Sequence, residues 1–265
     1  MNDANTKASG GPATADRPEP ALEVRNMHKH FGAVIALDGI DFEVPQGEIV
    51  GLVGDNGAGK STLIKILSGA QQPTEGEVFI EGRKVSFASP RDAQEYGIET
   101  VYQDLALFDD LSVAANMFVG REKRNRYGLL DHRGMGRFTK DVVQRLNVNV
   151  PDTRATVRNL SGGQRQAVAV ARSVAFGSKV VLLDEPTSAL STQAAEHVLD
   201  IVRDLRKHGV SAIFVAHNME HVQAVCDRIY VLRRGLVAGI IPKEDFSTHR
   251  IVAMMLGGSE DDRED

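Results

Sequence analysis

Residues Gly51–Thr62 read GLVGDNGAGKST, and no other stretch restricts the fold so tightly. Gly54, Gly59, Lys60 and Ser61 occupy the fixed positions of a phosphate loop, after the apolar run Ile49 to Val53 and before TLIKILSG. A loop of this kind works only between a buried strand and the start of a helix. Glycine lets the backbone amides of Gly54, Asp55, Asn56, Gly57, Ala58 and Gly59 curl around an anion, and the helix aims its positive end at the same place. Lys60 is expected on the outer phosphates, Ser61 on Mg²⁺ and Thr62 on a further phosphate contact. Average composition makes a chance match of these positions an event on the order of one per cent.

A second acidic feature fits the first. VVLLDE, residues 180–185, is an apolar run that ends in two carboxylates. Alone it reads as a strand and a solvated turn. In a chain with a phosphate loop, Asp184 is expected in the Mg²⁺ shell, and Glu185 is expected to orient or deprotonate a water that attacks a terminal phosphate.

The rest of the chain bounds this chemistry. Its 265 residues leave room for one or two domains. With net charge −5 and pI near 5.9, it is no candidate for a nucleic-acid binder held by a basic face. Cys226 is the sole cysteine, so no internal disulfide forms, a reducing cytosol is the natural setting, and the residue reads as a half-buried, inert thiol. Residues 1–20 read as a flexible tail and 259–265 as an acidic one. No run approaches the roughly 18 apolar residues of a membrane span.

Residues 21–258 read as one α/β unit: short strand-like runs first, a mainly helical insertion at about 89–177, then a second α/β stretch. The first runs predict mostly antiparallel strands around a central strand, Ile49 to Val53. TQAAEHVLDIVRDLRKHG predicts a helix with the apolar stripe Val198, Leu199, Ile201, Val202 and Leu205, ended by Gly209.

LSGGQ, residues 160–164, sets two glycines where a helix should begin, with no lysine to complete a phosphate site. Together with Gln103 in TVYQDLALF, SALS at 188–191 and His217 in VAHN, it resembles the nucleotide-binding subunits of ATP-binding cassette (ABC) transporters, over about residues 21–258. The resemblance implies a P-loop NTPase of ABC type: a mixed central sheet, an N-terminal antiparallel β subdomain and a helical insertion bearing the signature. It also implies ATP stacked on Phe31, Gln103 near Mg²⁺ and the attacking water, and His217 as the switch histidine. Two chains would face each other head to tail, Ser161, Gly162, Gly163 and Gln164 of one completing the nucleotide site of the other. Catalysis would rest on Glu185, His217, Lys60 and Gln103, and the metal on Ser61, Gln103 and Asp184. Ser191 departs from the family's usual aspartate.

SPRDAQEYGIETVYQDLALFDDLSVAANMFVGRE resembles monosaccharide importers of the ribose, xylose and fructose class, and GDNGAGKS, AFGSKVV and HNMEHV narrow the likeness to single-cassette members such as the bacterial fructose importer. The implied partners are polytopic permease subunits and, indirectly, an extracytoplasmic sugar-binding protein; the implied location is peripheral, at the cytoplasmic face of the inner membrane. Competing readings are a soluble cassette ATPase of DNA repair or translation and an ATP-binding regulator without turnover. HNMEH also suggests a zinc helix, but Glu220 does not directly follow His217, and His217 is expected to end a strand. The set Leu105, Leu107, Phe108, Leu111, Met117 and Phe118 reads equally as core or as a groove for a permease helix.

Overall fold

The computed structural model describes residues 18–257, so the acidic tail and all but the last three residues of the N-terminal tail lie outside the described residues. The elements run β1 (Leu22–Phe31), β2 (Val34–Val44), β3 (Ile49–Val53), α1 (Lys60–Leu67), β4 (Glu75–Ile80), β5 (Arg83–Val85), α2 (Pro90–Glu95) and β6 (Ile98–Val101). Then come α3 (Val113–Met117), α4 (His132–Arg145), α5 (Gly162–Val174), β7 (Val180–Asp184), α6 (Thr192–Leu205), β8 (Ser211–Val215), α7 (Met219–Val225), β9 (Arg228–Arg233), β10 (Leu236–Pro242) and α8 (Thr248–Leu256).

Two sheets divide the strands. The order β2-β1-β4-β5 forms an antiparallel sheet, and β10-β9-β3-β8-β7-β6 a second one in which β3 runs parallel to both β8 and β9. The antiparallel strands therefore do not surround Ile49–Val53, as their order along the chain suggested. Burial explains the separation: every residue of β3 is buried, which only a central strand covered on both faces allows.

Side-chain alternation sorts the parallel strands into two cores. Ile49, Val53, Val181, Leu183, Ala212, Phe214, Ile229 and Val231 join α5, α6 and α7 on one face. Val50, Leu52, Val180, Leu182, Ile213, Val215, Tyr230 and Leu232 join α1 and the antiparallel sheet on the other. The stripe of α6 is buried as its periodicity required. Cys226 is fully buried rather than half-buried: its Sγ lies 3.1 Å from where a Cβ on Gly51 would stand, and burial pushes the thiol well up.

The region expected to be helical contains α2, α3, α4 and α5, together with β6, which pairs parallel with β7. Asn116 is fully buried there; its Oδ1 accepts from Phe108 N (2.8 Å), and its Nδ2 donates to the carbonyls of Phe108, Leu111 and Ser112. One buried side chain thereby ties the turn at 108–112 to α3, adding to carbonyls that also accept from backbone amides. Arg172 of α5 holds the stretch before it, donating to the carbonyls of Leu105 and Ala106. Met117 and Phe118 are core, Leu105 and Leu107 pack against it, and Phe108 and Leu111 remain exposed.

Candidate functional site

Register places the site. Leu52 of β3 and Asp184 of β7 both lie abreast of Val215 in β8, so three loops leave one edge of the sheet side by side. They carry the phosphate loop, the Asp184–Glu185 pair and His217. Ligands of parallel α/β sheets bind at this carboxyl edge.

In the phosphate loop the glycines answer different needs. Gly54 has φ 151°, and a Cβ there would lie 2.2 Å from Leu232 O. Gly59, with φ 111°, caps α1 where a Cβ would lie 2.7 Å from Leu37 Cδ2. Gly57 has φ 81° but faces open space, the side a ligand would occupy. Lys60 is buried inside the curl, donating to Gly54 O (2.6 Å) and Asp55 O (3.0 Å). Burial pulls its ammonium down, while Glu185, Asp55 and Asp184 oppose that shift, which places these carboxylates within its field. Ser61 is exposed beside it.

Across the sheet edge, burial raises the Asp184 carboxyl; the neighbouring Glu185 raises it further, and Lys60 works against both. Glu185 has φ 51°, an unusual conformation for this residue type, and its amide donates to Val215 O at 2.9 Å. That bend turns its carboxylate to His217, whose Nε2 stands 2.8 Å from Glu185 Oε1. His217 lies beyond the end of β8, in a loop and not on a helix face, so HNMEH forms no zinc helix; among the described residues no group of three or more His, Cys, Asp or Glu side chains is placed to hold a metal ion.

Gln103 sits exposed past the end of β6, beyond β7 on the same edge. Phe31 ends β1 half-exposed, with the Lys29 ammonium 5.1 Å from its ring centre. Ser161 and Gln164 form a capping box on α5: Ser161 Oγ accepts from Gln164 N (3.3 Å) and Gln164 Oε1 from Ser161 N (3.0 Å). Gly163 meets a packing demand, because a Cβ there would stand 2.7 Å from Ala194 Cβ of α6, whereas Gly162 has room. Ser161, Gly162, Gly163, Gln164 and Ser191 border a cavity of about 570 Å³ whose described lining includes none of Gly54–Thr62. Within one chain the signature and the phosphate loop thus stand apart.

Sequence reasoning missed Asn116, Arg172 and Thr187. Thr187 is buried after Glu185, with its Oγ1 3.0 Å from His221 Nδ1. Arg172 and Thr187 act through partners distant in the chain, and Asn116 through the carbonyls of an irregular turn that side-chain periodicity does not mark.

A strand, a glycine loop and a buried lysine, facing paired carboxylates and a histidine, define a P-loop nucleotide-binding protein. The family model for ABC transporters matches residues 37–188. The chain is 49% identical over 234 residues to the xylose/arabinose import ATP-binding protein of Sulfolobus acidocaldarius, covering 88% of this chain and 93% of that one. It is 45% identical to the fructose import ATP-binding protein of Rhizobium meliloti, covering 93% and 97% of the two chains. A ribose import ATP-binding protein of Rubrobacter xylanophilus is 42% identical, with 91% of this chain covering 48% of that one. The chain belongs to the ABC transporter family. Its fold matches a solved ATP-binding cassette in an ADP conformation (TM-score 0.76, 24% identity, 90% and 99% coverage). It also matches a dimeric cassette bound to ADP and phosphate after hydrolysis (TM-score 0.71, 25% identity, 85% and 100% coverage).

Proposed function

We propose that this chain hydrolyses ATP to power import of a monosaccharide, working as a head-to-tail dimer beneath a permease. The observation that carries the hydrolytic part is the convergence of Lys60, Asp184, Glu185 and His217 at one sheet edge. The sugar assignment rests on the likeness to xylose/arabinose, fructose and ribose import proteins.

The phosphates of ATP meet the amides of Gly54–Thr62 and the Lys60 ammonium, and Phe31 offers its exposed ring to the base. Ser61, Asp184 and Gln103 supply a hydroxyl, a carboxylate and an amide oxygen. These hard donors fit an ion that takes few protein ligands and completes its shell with phosphate and water, and they would hold Mg²⁺. When bound, it would supply positive charge to neutralise that developing on the phosphates during transfer. Glu185 orients the attacking water, and His217, 2.8 Å away, holds the carboxylate in place.

The signature start is a half-site: Ser161, Gly162 and Gly163 offer amides and a positive helix end without a lysine. A second copy's phosphate loop supplies what is missing, so that two ATP molecules close the dimer and hydrolysis opens it. For the permease, a groove of about 560 Å³ between α2 and the helical region, bordered by Gln94, Glu99, Arg121 and Phe176, is the docking surface. With it the chain works at the cytoplasmic face of the membrane; no helix among the described residues is long and apolar enough to cross one.

The deciding experiment is copurification of the permease from native membranes, together with monosaccharide uptake in a strain lacking this chain. Unimpaired uptake of every monosaccharide tested would overturn the import assignment.

A further inference from the structure

His221 belongs to the apparent zinc motif that the structure dissolves, and it has no place among the groups that touch ATP. Its surroundings give it another. Asn218 caps α7, its Oδ1 accepting from Glu220 N (2.9 Å) and His221 N (3.3 Å). The amide is thereby oriented with Nδ2 toward His221 Nε2, at 3.5 Å. Nε2 is then the acceptor, so the ring proton sits on Nδ1 and is donated to Thr187 Oγ1, 3.0 Å away.

Thr187 is 6% exposed and lies in the turn after Glu185 and Pro186. The amide and hydroxyl of Ser188 next to it close back on Glu185 O, at 3.3 and 3.1 Å. One hydrogen bond therefore joins the loop that carries Glu185 to the helix whose capping turn follows His217. Between the two loops opens a cavity of about 400 Å³, bordered by Glu185, Thr187, His217 and His221. Beside the Glu185 N–Val215 O bond at the strand ends, the Thr187–His221 bond is a second tie between the loops, on the far side of this cavity from the Glu185–His217 pair.

We infer that His221 is a positioning residue: through Thr187 it holds the two loops at the separation that keeps His217 on Glu185. It touches no part of the nucleotide. Its effect falls on turnover and not on ATP affinity, because Lys60 and the phosphate loop belong to a different loop. The inference rests on the hydrolytic role of Glu185.

Steady-state phosphate release by the full-length chain tests it, with Thr187→Val, His221→Ala, the double variant, and the conservative Thr187→Ser and His221→Asn. Each loss variant should lower kcat by roughly tenfold to a hundredfold, as misplacement of catalytic groups by up to about 1 Å does, with KM for ATP within about twofold of wild type. The double variant should be no worse than the poorer single one, and the conservative variants should recover most of the activity. Additive losses, an unchanged kcat, or a matching rise in KM would overturn the inference. If the loss variants fail to fold, His221→Asn against His221→Gln decides, since only asparagine places its amide near Nδ1; equal activity of the two would be fatal. Glu185→Gln in the same assay separates the two claims: full turnover there defeats the hydrolytic reading, whereas full kcat in Thr187→Val defeats positioning alone.

Discussion

Glu185 and His217 stand 2.8 Å apart just past the ends of adjacent strands, which the bond from Glu185 N to Val215 O (2.9 Å) ties together at that edge. The left-handed backbone at Glu185, φ 51°, turns its carboxylate toward the histidine. Strain stored at such a position is characteristic of residues whose direction matters.

Glu185→Gln keeps the shape and the hydrogen-bonding reach while removing the base. ATP binding is expected to persist and phosphate release to fall by about 10²- to 10⁴-fold, the range of general-base contributions. A nucleotide titration beside a phosphate assay measures both. Turnover at the wild-type rate would contradict the role given to Glu185.

Ser161→Arg puts a long cation where a second copy's phosphate site should close. On a Glu185→Gln background, ATP-driven dimerisation followed by gel filtration is expected to disappear, while nucleotide affinity of the monomer stays roughly intact. Loss of the Ser161 cap on α5 costs about 1 kcal/mol by itself, so Ser161→Ala serves as the control that should still dimerise.

Alanine at the phosphate-loop glycines separates geometry from packing. Gly57→Ala meets open space and bears only the left-handed penalty of about 1–2 kcal/mol. Gly54→Ala adds a clash with Leu232 O at 2.2 Å and is expected to destabilise considerably more. Urea unfolding without nucleotide reads the difference. Equal midpoints would show that the backbone beneath Gly54 can move aside.

Asp184 sets activity against stability. Burial first, and Glu185 second, raise its carboxyl above the ordinary value, with Lys60 opposing. A group whose folded pKa lies above its unfolded one contributes stability that is present below the unfolded pKa and is lost as pH rises through the folded pKa. At neutral pH the ionised carboxylate therefore weakens the nucleotide-free fold. Asp184→Asn should melt higher than wild type at pH 7.5, with the gap narrowing toward acid pH, yet release almost no phosphate. A lower melting temperature at neutral pH would mean that attraction to Lys60 outweighs burial.

Much of this was legible in residue order. The phosphate loop announces a strand, a turn and a helix in immediate succession, and the apolar run before Asp184 announces its strand, because these signals are local. The stripe of α6 could be read likewise from helical spacing. Sheet membership could not: β3 lies between β2 and β4 in the chain but pairs with β8 and β9. The glycines of LSGGQ read as anion holders, yet Gly163 also lets α5 approach Ala194 of α6, a demand only the packed helices reveal.

Residue order was enough to read the chemistry available, since the glycine loop with its lysine and the carboxylate pair after an apolar run are each contained in one short segment. Tertiary structure alone decided which side chains meet: Lys60, Glu185 and His217 converge because parallel strands bring distant loops to one edge, and Thr187 finds His221 for the same reason. Contacts across such distances depend on strand order and register, which side-chain periodicity along a single segment does not encode.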